Sequence, residues 1–157
     1  VIDNYFSHSS YYKIDEKPVF MIYDIDNLIQ GLGGVEKTID ALDWFRKETI
    51  KAGFKGLDLQ LTLRRRNYSV TGKEGEKVGT QEQLINRLGF DGLTHYQYVH
   101  FVNINRDYSE IIEDVKKEFT LLDNEYKIPY YPHISVGWDN NPRFEMFRSG
   151  IVKNKYA

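Results

Sequence analysis

The spacing of apolar and polar residues along the chain predicts four β-strands. Residues 18–23 form a continuous apolar run, which is typical of a strand buried on both faces of a parallel sheet. Residues 57–63 place Leu at every second position, so this segment predicts a second strand. Shorter apolar runs predict a third strand at 93–97 and a largely buried fourth strand at 132–136, where β-branched residues alternate with smaller ones.

The segments between these strands show the three-to-four-residue apolar spacing of amphipathic helices. The first helix is predicted over 35–50, directly after a Gly-Gly pair that opens it. Thr80 and Gln83 form a capping-box sequence for a second, short helix, and Asp107 and Glu110 form another for a third helix. Each of the first three predicted strands is therefore followed by one helix.

This β-α-β-α-β-α-β order predicts an α/β fold in which a parallel sheet is built from right-handed βαβ repeats. Two architectures fit the pattern: a partial (β/α)8 barrel of the TIM-barrel type and a small doubly wound three-layer sheet. Four strands do not close a barrel, and the spacing alone leaves this choice open. The expected organisation is a single domain over 1–157.

Composition limits the classes of function. The formal net charge of -2 provides no overall field that attracts nucleic acid or an acidic membrane. The absence of Cys removes disulfides, thiolate metal ligands and Cys nucleophiles. No apolar run is long enough to span a bilayer and no signal peptide is visible, so a cytoplasmic location is expected. Aromatic residues make up 15% of the chain, which suits either sugar binding or an aromatic-rich core.

Polar and aromatic residues follow the carboxyl ends of the predicted strands. In parallel βα structures these ends meet at one rim, where active sites are built. Tyrosine and tryptophan rings at such a rim can stack on a sugar face and present a polar tip, although they can equally fill the mouth of a barrel as core. Gln60 lies inside a strand, where a polar side chain needs a partner such as substrate. The candidate substrate-binding residues are Tyr23, Gln60, Tyr96, His100, Trp138 and Arg143, and the weak catalytic candidates are Asp24 and Asp139.

Metal and cofactor chemistry have little support in this sequence. His95 and His100 have no nearby carboxylate at ligand spacing, so no metal site is predicted. No P-loop and no Rossmann glycine fingerprint is present, and no cofactor is expected. The carboxylates of Asp24 and Asp26 would repel phosphate after the first strand, which disfavours a doubly wound nucleotide-binding domain. Asp26 also fits a simple turn cap with Asn27.

Three arginines at 64–66 open a polar segment, 64–79, that is predicted to be a surface loop or lid. Their guanidinium groups either are solvated or bind the phosphate of a nucleotide-linked or phosphorylated sugar donor. Nucleic acid is disfavoured as a partner, because the rest of the chain is not basic.

Three blocks together resemble the WbsX-type glycosyltransferase family, whose domain is similar to glycoside hydrolase family 99. They are YYKIDEKPVFMIY at 11–23, GFDGLTHY at 89–96 and ISVGWDNNPR at 134–143, and the resemblance extends over nearly the whole chain. The resemblance implies a (β/α)8 barrel of bacterial polysaccharide or O-antigen gene sets that hydrolyses or transfers glycosyl groups. The implied partner is a glycan or a sugar nucleotide.

The resemblance also implies that this chain corresponds to the middle of a longer protein. In the related hydrolases a later strand with the pattern Asn-Glu-Trp-x-Glu-Gly supplies the catalytic carboxylates, and no Glu-Trp pair occurs here. An alternative is therefore a non-catalytic sugar-binding or assembly module. Such a partial barrel is expected to form a homo-oligomer that covers its open sheet edges.

Overall fold

The computed structural model describes residues 1–64 and 79–136, and the strands of these ranges form one curled, half-barrel sheet. A short strand β1 (Lys13–Ile14) pairs antiparallel with β2 (Lys17–Ile22). The sheet continues in parallel through β3 (Asp58–Leu63), β4 (Gly92–His95) and β5 (Tyr130–Tyr131). The strands predicted at 18–23, 57–63 and 93–97 are confirmed to within two residues at either end.

Four α-helices lie between or after these strands in the part of the chain described. They are α1 (Ile25–Leu32), α2 (Val35–Lys51), α3 (Gln81–Leu88) and α4 (Tyr108–Glu125). A π-helical turn at Ile2–Phe6 precedes β1, and a 3-10 turn at Tyr98–His100 follows β4.

The parallel strands are arranged in chain order, each one paired with the next. A doubly wound sheet reverses its strand order at a switch point, and the strands within 1–64 and 79–136 show no such reversal. Sequential order is the arrangement of a barrel segment, so the sheet is compatible with a partial barrel.

The two faces of β3 have different roles. Leu59, Leu61 and Leu63 point to one face and are almost fully buried in the main core, which also contains Ile29 of α1 and Leu84 of α3. This apolar face of the sheet is buried against the helices because side chains alternate along a strand. Asp58, Gln60 and Thr62 point to the opposite, inner face and are also buried.

Helix α1 was not predicted, because residues 24–27 were interpreted as a turn. Asp24 is its N-cap, and the Asp24 carboxylate accepts a hydrogen bond from the Asn27 backbone N–H at 3.0 Å. Ile25 and Ile29, four residues apart, are buried on its inner side. Gly33 ends the helix in the left-handed conformation with φ 86°, so the Gly-Gly pair closes one helix before it opens another.

The two capping-box predictions have different outcomes. At α3, the Thr80 hydroxyl accepts from the Gln83 backbone N–H and the Gln83 amide oxygen accepts from the Thr80 N–H, which confirms the box. At α4, Asp107 occupies the N-cap position, but its side chain makes no capping hydrogen bond, so the second box is wrong as a hydrogen-bond arrangement. The extent of α4 agrees with the apolar spacing.

The prediction of a buried strand at 132–136 is wrong in its position and in the direction of the side chains. The strand is β5, two residues earlier, where Tyr130 and Tyr131 pair with Leu93 and Thr94. Ile134 and Val136 are 86% and 77% exposed. The hydroxyls of Tyr98 and Tyr108 donate to the carbonyls of His133 and Ser135, at 3.1 and 3.0 Å. These bonds hold the segment against the residues that follow β4 while its apolar side chains point outward.

Candidate functional site

The carboxyl ends of β2, β3 and β4 bring five side chains together at one edge of the sheet. Because the three strands are parallel and adjacent, the residues that follow them meet at the same level. These residues, which we refer to as the rim, are Tyr23 and Asp24 after β2, Arg64 after β3, and Tyr96 and His100 after β4.

The rim is a continuous series of contacts. The Arg64 Nη1 donates to Asp24 Oδ2 at 2.8 Å, and its guanidinium carbon lies 5.4 Å from the Tyr23 ring centre. The Tyr23 and Tyr96 rings pack edge to face with centroids 5.0 Å apart, and the Tyr96 and His100 rings are 5.6 Å apart. Tyr23 is exposed and Tyr96 is half-buried, so the series has a surface that a ligand can reach.

The Asp24 carboxylate is held by three donors. Besides the Asn27 backbone N–H, the Asn27 side-chain amide and Arg64 donate to it at 3.0 and 2.8 Å. The same carboxylate therefore caps α1 and anchors the guanidinium above the Tyr23 ring. The cap was predicted at Asp26, and the structure assigns it to Asp24 instead.

Asp26 lies in the first turn of α1 and is half-buried close to Asp24 and Arg64. Burial raises the pKa of Asp26, and the negative charge of Asp24 raises it further, while Arg64 acts in the opposite direction. The sequence placed Asp26 with Asp24 at a strand end, whereas Arg64 was interpreted only as part of a polar loop that is solvated or binds phosphate. The signal for Arg64 was available, since it directly follows the carboxyl end of β3.

Gln60 lies away from the rim, on the inner face of the sheet. Its amide nitrogen donates to Asp58 Oδ1 at 2.9 Å, and both side chains are buried. The partner required for a polar residue inside a strand is therefore a neighbouring carboxylate of the same strand. The ring of Tyr131 covers Gly92 on this face, because a Cβ on Gly92 would stand 2.7 Å from it.

A histidine cluster supports the rim from the helix side of the sheet. The His95 Nδ1 lies 2.9 Å from the Tyr130 hydroxyl, and its ring packs 4.2 Å from Phe101. Burial, with smaller contributions from the nearby His133 and His100 rings, lowers the pKa of His95 to about 3. His133 packs on Tyr98 at 5.1 Å, and burial lowers its pKa as well. The lowered pKa values favour the neutral form of both histidines, and their ring contacts hold the segment that carries His100.

Several predicted residues are not part of this description. Trp138, Asp139 and Arg143, like Arg65 and Arg66, lie outside the residues that the structure describes. Within 1–64 and 79–136, no group of three or more His, Cys, Asp or Glu side chains is arranged to hold a metal ion. Among the helices of these same ranges, none is long and apolar enough to cross a bilayer.

Comparison with known protein families finds a match. The family model described as "Glycosyltransferase WbsX" matches residues 1–156, which is nearly the whole chain. Neither the curated proteins nor the solved structures contain a significant match.

Proposed function

Because the chain belongs to the WbsX glycosyltransferase family, we propose that it is a carbohydrate-active domain whose rim binds a glycan. The proposed substrates are polysaccharides or O-antigen-type glycans, and the proposed reaction is glycosyl hydrolysis or transfer. The observation that carries this proposal is the contact series from Asp24 through Arg64, Tyr23 and Tyr96 to His100.

The chemistry of this series suits a sugar. Aromatic rings offer flat apolar faces to the C–H groups of a sugar ring, while phenol, imidazole, carboxylate and guanidinium groups pair with its hydroxyls. Charge-assisted hydrogen bonds of the last two kinds are roughly twice as strong as neutral ones. We assign Tyr23, Tyr96 and His100 to substrate binding and extend the proposal to Trp138 and Arg143.

The proposed architecture is a (β/α)8 barrel of which the described strands form one part. The sequential order of the parallel strands supports this architecture. Met21, Gln60 and Gly92 also pair in register across three adjacent strands and lie on the inner face, as the residues of one interior layer of a barrel do. In such a barrel the rim is the end on which active sites are built. The Asp58–Gln60 pair then belongs to the barrel interior, below the substrate.

A non-catalytic sugar-binding module is the second candidate. The observation that favours it is that Asp24 is already occupied by three donors, which is a structural arrangement and not that of a free acid or base. Under this alternative the rim binds the same glycans and neither hydrolyses nor transfers them. Product analysis of any glycan that binds distinguishes the two candidates.

Tyr96→Ala is expected to weaken glycan binding about tenfold, because it removes one stacking face and the ring that Tyr23 packs against. The measurement is ligand-observed NMR with a panel of uncharged bacterial oligosaccharides and with UDP-glucose. Tyr5→Ala is the matched control, since Tyr5 is an exposed tyrosine of the N-terminal turn. Equal binding by wild type and Tyr96→Ala would place the site elsewhere.

A further inference from the structure

One positive side chain of the rim, Arg64, lies near two negative ones, Asp24 of the rim and Asp26 in the first turn of α1. Asp24 contacts Arg64 directly, and Asp26 is close enough for its pKa to respond to both charges. Two carboxylates against one guanidinium give these three groups a formal charge of -1. The positive charge of Arg64, at the end of β3, is therefore already balanced by neighbouring carboxylates in the absence of a ligand.

The geometry of Arg64 also opposes a role as a phosphate ligand. Its Nη1 donates to Asp24 at 2.8 Å, while its guanidinium carbon lies over the Tyr23 ring, 5.4 Å from the ring centre. A phosphate that accepted from another N–H of this guanidinium would lie beside the carboxylates of Asp24 and Asp26 in a half-buried site. The negative charges of the phosphate and the carboxylates would repel each other, and burial would strengthen this repulsion because it lowers the effective dielectric constant.

An uncharged sugar ring meets no such barrier. Its hydroxyls can donate to a carboxylate oxygen of Asp24 and accept from the guanidinium of Arg64 without separating the pair. Its apolar face can lie on Tyr96 or Tyr23 next to that pair. The ion pair therefore matches the hydroxyl groups of an uncharged sugar, and the aromatic surface beside it matches the apolar face of the same sugar.

We propose that the rim selects an uncharged sugar ring and rejects phosphate-bearing ligands, including sugar nucleotides. The selection depends on Asp24 and Asp26 as charge partners of Arg64. This inference rests on the proposed function, because it names the substrate class of the same site.

The test removes the two negative charges and leaves the shape. In the double variant Asp24→Asn with Asp26→Asn, the three groups change from -1 to +1, and Asn is as good an N-cap as Asp, so α1 keeps its cap. The probes are inorganic phosphate, UDP-glucose and the panel of uncharged oligosaccharides, titrated at constant ionic strength. The double variant is expected to bind inorganic phosphate at least about tenfold more tightly than the wild type.

The matched control is Asp3→Asn with Asp40→Asn, which changes the net charge of the chain equally at two exposed positions outside the rim. It is expected to leave phosphate affinity unchanged. The single variant Asp26→Asn, which leaves the cap of α1 untouched, is expected to show a smaller gain and serves if the double variant does not fold.

The outcomes separate this inference from the proposed function. Wild-type binding of an uncharged oligosaccharide but not of UDP-glucose, with loss on Tyr96→Ala, supports both. If the wild type binds UDP-glucose and Tyr96→Ala abolishes that binding, the proposed function stands and the proposed selection against phosphate is overturned. A double variant that gains no affinity for phosphate overturns the selection in the same way. Failure of every sugar probe to bind the wild type contradicts the proposed function and the inference with it.

Discussion

Phe6→Ala is expected to lower the free energy of unfolding by about 3–5 kcal/mol, the typical cost of truncating a fully buried Phe. Phe6 is 0% exposed. Its ring packs within 5.0 to 6.4 Å of the rings of Tyr11, Phe20, Phe45 and Phe54, from four different parts of the chain. Truncation to Ala would leave a cavity and remove the ring contacts that join the N-terminal turn to β2 and α2. Urea denaturation followed by circular dichroism measures the loss.

The adjacent residue provides the control. Tyr5 is 61% exposed, so Tyr5→Ala is expected to change stability by no more than about 0.5 kcal/mol. A Phe6→Ala variant as stable as Tyr5→Ala would show that the N-terminal turn is not docked on the sheet. The contrast is sharp because the two aromatic residues share the same turn, while one side chain is exposed and the other is buried.

Acidification is expected to destabilise the fold by about 1.4 kcal/mol per pH unit through His95 alone, as the pH falls below about 6.5. The folded state holds the imidazole neutral with a pKa of about 3, whereas the unfolded chain takes up a proton near 6.5. The unfolded state therefore binds more protons between these values. The stabilisation is complete above pH 6.5 and decreases as the pH falls toward 3. His133, whose pKa burial also lowers, acts in the same direction.

The measurement is the free energy of unfolding at pH 7 and pH 5, above the range in which most carboxylates titrate. His95→Asn is expected to be less stable at pH 7 but to lose less stability on acidification, because Asn carries no titrating group and can still pair with the Tyr130 hydroxyl. His8→Asn controls for the removal of an exposed histidine. An unchanged pH dependence in His95→Asn would contradict the buried neutral state of His95.

The features that depend on burial of regular strands were predictable from the sequence. Buried apolar runs located β2 and β3, and parallel pairing then placed Tyr23, Asp24 and Tyr96 at one edge, as the structure has them. The segment 132–136 was not predictable in the same way. A period-two pattern indicates that side chains alternate but not which side faces the core. Here the hydroxyls of Tyr98, in the 3-10 turn, and Tyr108, at the start of α4, hold the backbone with the apolar side chains outward.

Long-range packing and local capping account for the other differences. Phe6 belongs to a segment too short to show any periodicity, so only its tertiary contacts reveal that it is core. Helix α1 has eight residues and is bounded by an Asp cap and a Gly stop, which are signals that a turn shares. The contact between Asp24 and Arg64 joins residues 40 positions apart, and no local pattern encodes it.

The central claim is that the rim at the carboxyl ends of β2, β3 and β4 binds an uncharged sugar. Its most direct test is a titration of the isotope-labelled chain with an uncharged oligosaccharide that binds it, followed through backbone amide chemical shifts. We predict that the largest shift changes fall at Tyr23, Asp24 and Arg64 and along residues 96–100. Changes concentrated elsewhere, such as around exposed Trp44 on α2 or the N-terminal turn, would contradict it.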